Sequence, residues 1–415
     1  MIKPVPRRAA IILAGSALAL ASNILPAHAA TTGWRVAAKI AVRGSETALL
    51  SVAAVSPSDA WATGFIGKPK NTSLGTVVRH WTGKTWRQVT LPSKIATQWA
   101  KQEPVNPQVG AASARSVWVF GGIRGRYLRL DGSQWRLQQL PGVGGKSDAL
   151  VEIATVKVFR STDAWAFGQR ISFSSKQILI RPYVAQYNGH KWSRVSVPGL
   201  ASGNAAITAV AAVSSGDMWA VESARSHLIL STSAVTNSAA RSSTARTSAA
   251  VPALVLHWTA STGWQNAAEQ PHLRAGDQLT SGVAEPGGQV WFGGSARNTA
   301  NGTSPLTAEW DGTSWSVSDL PGTATSAHVQ IAAMAPDGTG GIWALPENVK
   351  TGKQRIWHLH GATWSQVKPA FGNHPWVLGA LALVPRTHSV WGVGALLTAK
   401  SSADGLIAID GPLPR

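Results

Sequence analysis

A unit of two Trp-bearing halves recurs along the chain, and it is first complete between Leu50 and Pro92. The first half, Leu50 to Gly64, runs from small apolar residues through Ser56-Pro57-Ser58-Asp59 into a run carrying Trp61. The second, Thr76 to Pro92, has β-branched residues, a Thr82-Gly83-Lys84 turn and a run opened by Trp86. Short apolar or alternating runs parted by turn residues predict β-hairpins. Four consecutive strands then form one antiparallel meander. The first half returns around Trp118, Trp165, Trp219, Trp291, Trp343 and Trp391, which makes seven copies. The second returns around Trp135, Trp192, Trp264, Trp315 and Trp364, after turns such as Asp131-Gly132, Asn188-Gly189 and Asp311-Gly312. Asp-Gly and Asn-Gly favour type I′ hairpin turns because both residues tolerate positive φ.

The seventh copy reaches Asp410-Gly411 and then lacks its last strand. Gly33-Trp34-Arg35-Val36, at the other end, carries the Trp-x-x-Val of a final strand. The pattern therefore predicts an all-β fold: a seven-bladed β-propeller of four-stranded antiparallel blades, its ring closed by the N-terminal strand. Closure of this kind removes an exposed sheet edge. First strands such as Val210-Ala211-Ala212-Val213 are small enough for the crowded axis, and the repeated tryptophans are expected to fill the space between blades.

Residues 1–30 join Lys3, Arg7 and Arg8 to an apolar run from Ala9 to Leu25 and to Ala27-His28-Ala29. That order reads as an export signal, leaving residues 31–415 as a single propeller domain. The expected location is extracellular or associated with the cell envelope. With no cysteine, the chain excludes thiolate chemistry and disulfide staples. The whole sequence holds 38 basic and 19 acidic residues, three of the bases lying in the leader. So basic an exported domain favours polyanions.

In an up-and-down meander the loops between second and third strands share one face with the links between blades. These connections are long and variable, including Phe65 to Gly75, Gln169 to Arg181 and Pro346 to Gln354, whereas the hairpin turns of the opposite face are short. The second-to-third loops carry 15 basic residues against Glu222, Glu347 and Asp404. Long loops on a rigid frame are where ligands are met. The expected ligand contacts are Lys68, Lys70, Arg124, Arg126, Arg170, Arg181 and Lys353, with Trp99 and Trp376 as aromatic platforms in blade links. Glu222 to Pro252, rich in Ser, Ala and Arg, reads as a mobile basic flap with a short strand near Leu228 to Leu230.

The residues assemble no catalytic constellation. Asp59, Asp163, Asp217, Asp337, Asp131, Asp311 and Asp410 occupy hairpin turns, where Asp bonds its own backbone. Glu103, Asp148, Glu269 and Asp277 fall in blade links, and a glycoside hydrolase would need two such carboxyls to converge. His358-Leu359-His360 would place two imidazoles on one strand face without a third metal ligand. No cofactor or metal is expected, and no phosphate loop or nucleophile elbow is present.

The Ser-x-Asp-Ala-Trp and Trp-Asp-Gly-Thr-Ser-Trp halves, spread over residues 33 to 411, resemble the secreted β-propellers of actinomycete bacteria that are compared with kelch and galactose-oxidase propellers. The resemblance implies the propeller fold. It does not bring galactose-oxidase chemistry, whose cofactor joins a Tyr to a Cys that this chain lacks. The functional expectation is a non-catalytic binding scaffold whose basic long-loop face engages anionic polysaccharide, cell-wall polymer or a protein partner. The alternative is a glycan-active hydrolase or lyase with acids on the same face. Export argues against nucleic acid as the native partner.

Overall fold

The computed structural model describes residues 33–68, 75–102, 106–122, 124–143, 149–173, 178–199, 204–224, 252–285, 287–298, 302–321, 328–399 and 402–414. Its strands form seven four-stranded sheets, each a plain antiparallel meander. In chain order the blades span 46–88, 108–139, 150–194, 205–266, 278–319 and 329–367, with the seventh built from 376–410. The N-terminal strand Arg35–Ile40 completes blade 7 by pairing antiparallel with Ser402–Asp410, from Arg35 opposite Ile409 to Ile40 opposite Gly405. The ring is a seven-bladed β-propeller closed as the repeat count requires. Among the described residues no helix is long and apolar enough to cross a membrane.

The tryptophans hold neighbouring blades together. At several junctions the outer-strand indole meets the second-strand indole of the preceding blade edge-on: Trp86 on Trp391 at 5.2 Å, Trp34 on Trp343 at 5.5 Å and Trp135 on Trp61 at 6.4 Å. Edge-to-face pairing puts the positive rim of one ring on the negative face of the other. These contacts run into apolar clusters that each span two blades, such as the one joining Trp61 and Val78 of blade 1 to Val109, Val117 and Leu128 of blade 2.

Turn aspartates do more than bond their own backbone. Asp311 does so, accepting from the Thr313 and Ser314 amides at 2.7 and 2.8 Å, and the Ser314 and Thr313 donors hold its carboxyl down at about 2. In blades 1, 4 and 6, however, the turn Asp grips a histidine on the third strand: Asp59 with His80, Asp217 with His257 and Asp337 with His358, at 2.8 to 2.9 Å. Each imidazole lies flat on the second-strand Trp, at 4.1, 4.0 and 3.9 Å between ring centres. His358 is thus a packed member of an Asp–His–Trp stack, not a candidate ligand. Among the described residues no group of three metal-binding side chains occurs.

A second recurrent device lies in the inner strands. Those of six blades bulge at an equivalent point, between Leu49 and Ser51, Ile153 and Thr155, Ile207 and Ala209, Leu279 and Ser281, Ile331 and Met334, and Leu378 and Ala380. The bulge presses a carbonyl against the residue three places after the second-strand Trp. A Cβ at Gly168 would lie 1.9 Å from the Glu152 oxygen, and one at Gly64 the same distance from the Ala48 oxygen. Bulges bend a strand and re-aim its side chains, and here the bulged residues Leu50, Ala154, Thr208 and Thr280 line the axis.

Candidate functional site

All seven inner strands contribute to an axial channel of about 500 Å³. Its long-loop end carries a polar collar of Asn106, Gln108, Glu152, Gln330, Glu347 and Gln354. Further in, the wall turns to small and apolar residues such as Val156, Ala209, Val210 and Leu381. The change follows from strand position: residues at the start of an inner strand reach the open face, and those past the bulge face six other strands. Glu152 accepts from the Gln169 amide at 2.7 Å. Gln354 is locked in place, donating to the Leu378 carbonyl at 2.9 Å and accepting from its amide at 2.7 Å. Lys157 lies beyond the bulge of blade 3, and desolvation by the surrounding strands pushes its ammonium down to about 8. Glu46, at the start of the blade 1 inner strand, is buried with neither carboxylate oxygen bonded, and that burial pushes its carboxyl up.

The expected contact residues divide into those the fold gathers and those it separates. Arg170 and Arg181 face one another across the second and third strands of blade 3. Val151 of the inner strand is the next partner in that row, opposite Arg170, and it forms a parallel bridge with Arg124 of blade 2. Three arginines therefore stand in one lateral row across the blade 2–blade 3 junction. Arg126 adds a fourth at the start of the blade 2 third strand, lining a small crevice with Glu152. Lys68 is exposed directly after the blade 1 second strand, and Lys353 is exposed in the loop of blade 6, so neither joins the row. Lys70 lies outside the described residues.

Several sequence expectations need correction. Trp99 is no platform: it lies in the helix Ser93–Ala100 (α1), is only 2% exposed, and donates its indole N–H to Thr76 Oγ1 at 2.9 Å. Ile95 and Trp99 share a face of α1, an i,i+4 pair that the blade link's shortness conceals, and both pack on the blade 1–blade 2 cluster. Trp376 is half-buried at the head of the blade 7 inner strand, braced edge-on by Phe371 at 5.2 Å. Arg170 and Arg181 are strand residues, because backbone pairing runs on past the apolar signature from Asp163–Phe173 to Ile178–Tyr187. Glu222 and Glu347 likewise sit buried at strand ends, in Asp217–Ala224 and Ile342–Asn348. Of the 222–252 flap, strand structure continues to Ala224, and the stretch holding Leu228 to Leu230 lies outside the described residues.

Of the link acids, Asp277 and Glu269 are described, and they do not converge. Asp277 is buried and accepts from the Arg274 and Arg297 amides, each at 2.9 Å, which pins its link to the neighbouring strand. Glu269 is exposed, and Glu103 and Asp148 lie outside the described residues. Sequence reasoning does not single out the channel carboxylate Glu152, and it counts Glu347 only as a loop charge. Their signal is a charge inside strands otherwise made of apolar residues, Leu150-Val151-Glu152-Ile153 and Leu345-Pro346-Glu347.

No protein family matches the sequence, and no curated protein aligns with it significantly. Several solved structures are similar to it over most of their length. A protein of unknown function from Dyadobacter fermentans is 10% identical, covering 91% of this chain and 99% of its own at a TM-score of 0.47. The polysaccharide lyase Uly1 is 12% identical, covering 85% and 88% at 0.49. An α-L-arabinanase from Penicillium chrysogenum, solved with arabinobiose, is 12% identical, covering 92% and 97% at 0.40.

Proposed function

We propose that the protein is an exported, non-catalytic scaffold whose long-loop face binds an anionic polysaccharide, such as an acidic cell-wall polymer. The observation that carries this reading is the arginine row. Adjacent strands lie about 4.8 Å apart, so the backbones of Arg170 and Arg181 stand one strand spacing apart, with Arg124 two spacings beyond Arg170. A row of guanidinium groups suits the repeated anionic groups of a polymer. Beside the row, the amides and carboxylates of the collar supply donors and acceptors suited to sugar hydroxyls. Lys68, Lys353 and Trp376 extend the same face. The reading requires no metal or cofactor.

The test is a binding screen of the mature chain against neutral, carboxylated and sulfated polysaccharides. Retention by acidic polymers and not by neutral ones is the expected result, with loss in Arg170→Glu/Arg181→Glu. Equal retention by neutral polymers would remove the electrostatic basis. One observation favours a second reading, a glycan-active hydrolase or lyase: Glu152, Glu347 and Lys157 all line the channel. Release of new reducing ends that disappears in both Glu152→Gln and Glu347→Gln would establish it.

A further inference from the structure

Blade 2 departs from the Asp–His–Trp stack that blades 1, 4 and 6 share, and it does so away from the long-loop face. Where blades 1, 4 and 6 place an Asp in the turn and a His on the third strand, blade 2 has Ser116 and Arg129. The register is the same: Arg129 lies opposite Trp118 as His80 lies opposite Trp61. Its guanidinium rests 3.9 Å over the Trp118 ring and donates to the Ser116 hydroxyl at 3.1 Å and to the Leu130 carbonyl. A carboxylate has thus been exchanged for a hydroxyl at the point where an imidazole became a permanent cation. The nearest acid is Asp131 at 4.0 Å, whose side chain is 64% exposed against 7% for Arg129. Burial pushes the guanidinium below its ordinary value, against the opposing pull of Tyr187, Asp131 and Tyr127.

At this junction Tyr187 of blade 3 meets Trp118 edge-on at 5.6 Å, and the incoming Trp192 meets Phe120 edge-on at 5.7 Å. Beside these rings lies a cleft of about 410 Å³, within the size range of small-molecule sites. Register explains its chemistry. Tyr127, Arg129 and Asp131 alternate onto one face of the third strand, opposite Gln138, Arg136 and Gln134 of the outer strand. Blade 3 closes the cleft with Tyr187, His190 and Lys191. Three permanent cations, Arg129, Arg136 and Lys191, therefore face one carboxylate, Asp131, with two phenols and two amides among them. Gln139, at the upper end, pairs with Arg126 and donates to the Arg124 carbonyl, so the cleft leads up to the arginine row.

We propose that this cleft is a second binding site, which takes the anionic group of an acidic sugar residue. Arg136 and Lys191, both exposed, grip the anion from either wall, and Arg129 supplies a fixed positive charge at the floor. The amide of Gln138 and the phenol of Tyr187 meet the sugar hydroxyls. The choice of an acidic sugar rests on the function proposed above, but the site stands on its own residues and can be tested apart from it.

Hydrogen exchange on the mature chain, with a sulfated disaccharide in one arm and trigalacturonate in the other, separates the two sites and the two anion types. Protection of 134–139 and 187–192 is expected with at least one probe. In Arg136→Gln/Lys191→Gln that protection should vanish, and affinity measured by calorimetry should fall roughly tenfold for each charge-assisted hydrogen bond removed. Both side chains are exposed, so the variant should keep the parent thermal midpoint. Absence of protection at 134–139 with both probes, or protection undiminished in the variant, overturns the site. Failure of the long-loop reading would appear elsewhere, as absent protection over 168–181.

Discussion

Single residues in this propeller are legible only against their repeat partners. Arg170 and Arg181 gain meaning from being opposite one another, and Arg129 gains it from the histidines that hold its place in other blades. Glu46 has no such partner. Its carboxyl is buried and unbonded, and its raised value means the folded chain holds a proton that the unfolded chain has released. Stability contributed by the protonated form is present below the unfolded value and is lost as pH rises through the folded one. Glu46→Gln should therefore leave thermal stability unchanged near pH 4 and raise it at pH 8, by about 1–2 kcal/mol in urea titrations. A variant no more stable at pH 8 would mean that Glu46 is satisfied. Lys157 has the opposite sign: its ammonium is depressed, and stability should increase as pH rises from 8 toward the ordinary lysine value. Lysine-selective NMR should find one amine titrating near 8, and Lys157→Met should remove that resonance and the slope together.

At the level of strands and links, the repeat makes the fold readable and hides the exceptions. Trp61 and Trp86 report architecture in every blade, so seven sheets follow from counting them. The inner-strand bulge is also written in the sequence, as the glycine three residues after Trp61, Trp165, Trp291 and Trp391. It is hard to read there because a glycine ending a strand looks like an ordinary turn residue. Gly168→Ala places a methyl into the Glu152 carbonyl and should cost about 3 kcal/mol or fail to fold. Gly132→Ala, at φ 63° with open space around it, should cost only about 1 kcal/mol. Equal costs would show that the bulge relaxes freely. Trp99 escapes for a different reason: α1 is eight residues long, too short for periodicity to stand out, and its single buried Trp looks like a free aromatic in a loop.

For the whole molecule, closure and charge are the two global properties. The N-terminal strand buries Trp34 and Ile40 and covers the edge of Ser402–Asp410. A chain lacking residues 33–40 should lose more than about 10 °C in thermal midpoint and aggregate through the bared edge; an unchanged midpoint would leave the ring closed by other means. The candidate site is half legible for a related reason. Loop bases can be counted in a sequence, but the meeting of Arg124 with Val151, and through it with Arg170, exists only once two blades are side by side. The carboxylates of the collar depend in the same way on seven strands converging. The proposed function requires that the basic face bind an acidic polymer through charge. The direct measurement is the affinity of the chain from residue 31 onward for a polyuronate across a sodium chloride series, beside Arg170→Glu/Arg181→Glu. Affinity should fall steadily as salt screens the face, and the variant should bind weakly and with a flatter salt dependence. Affinity indifferent to salt and unaltered by the charge reversals would contradict it.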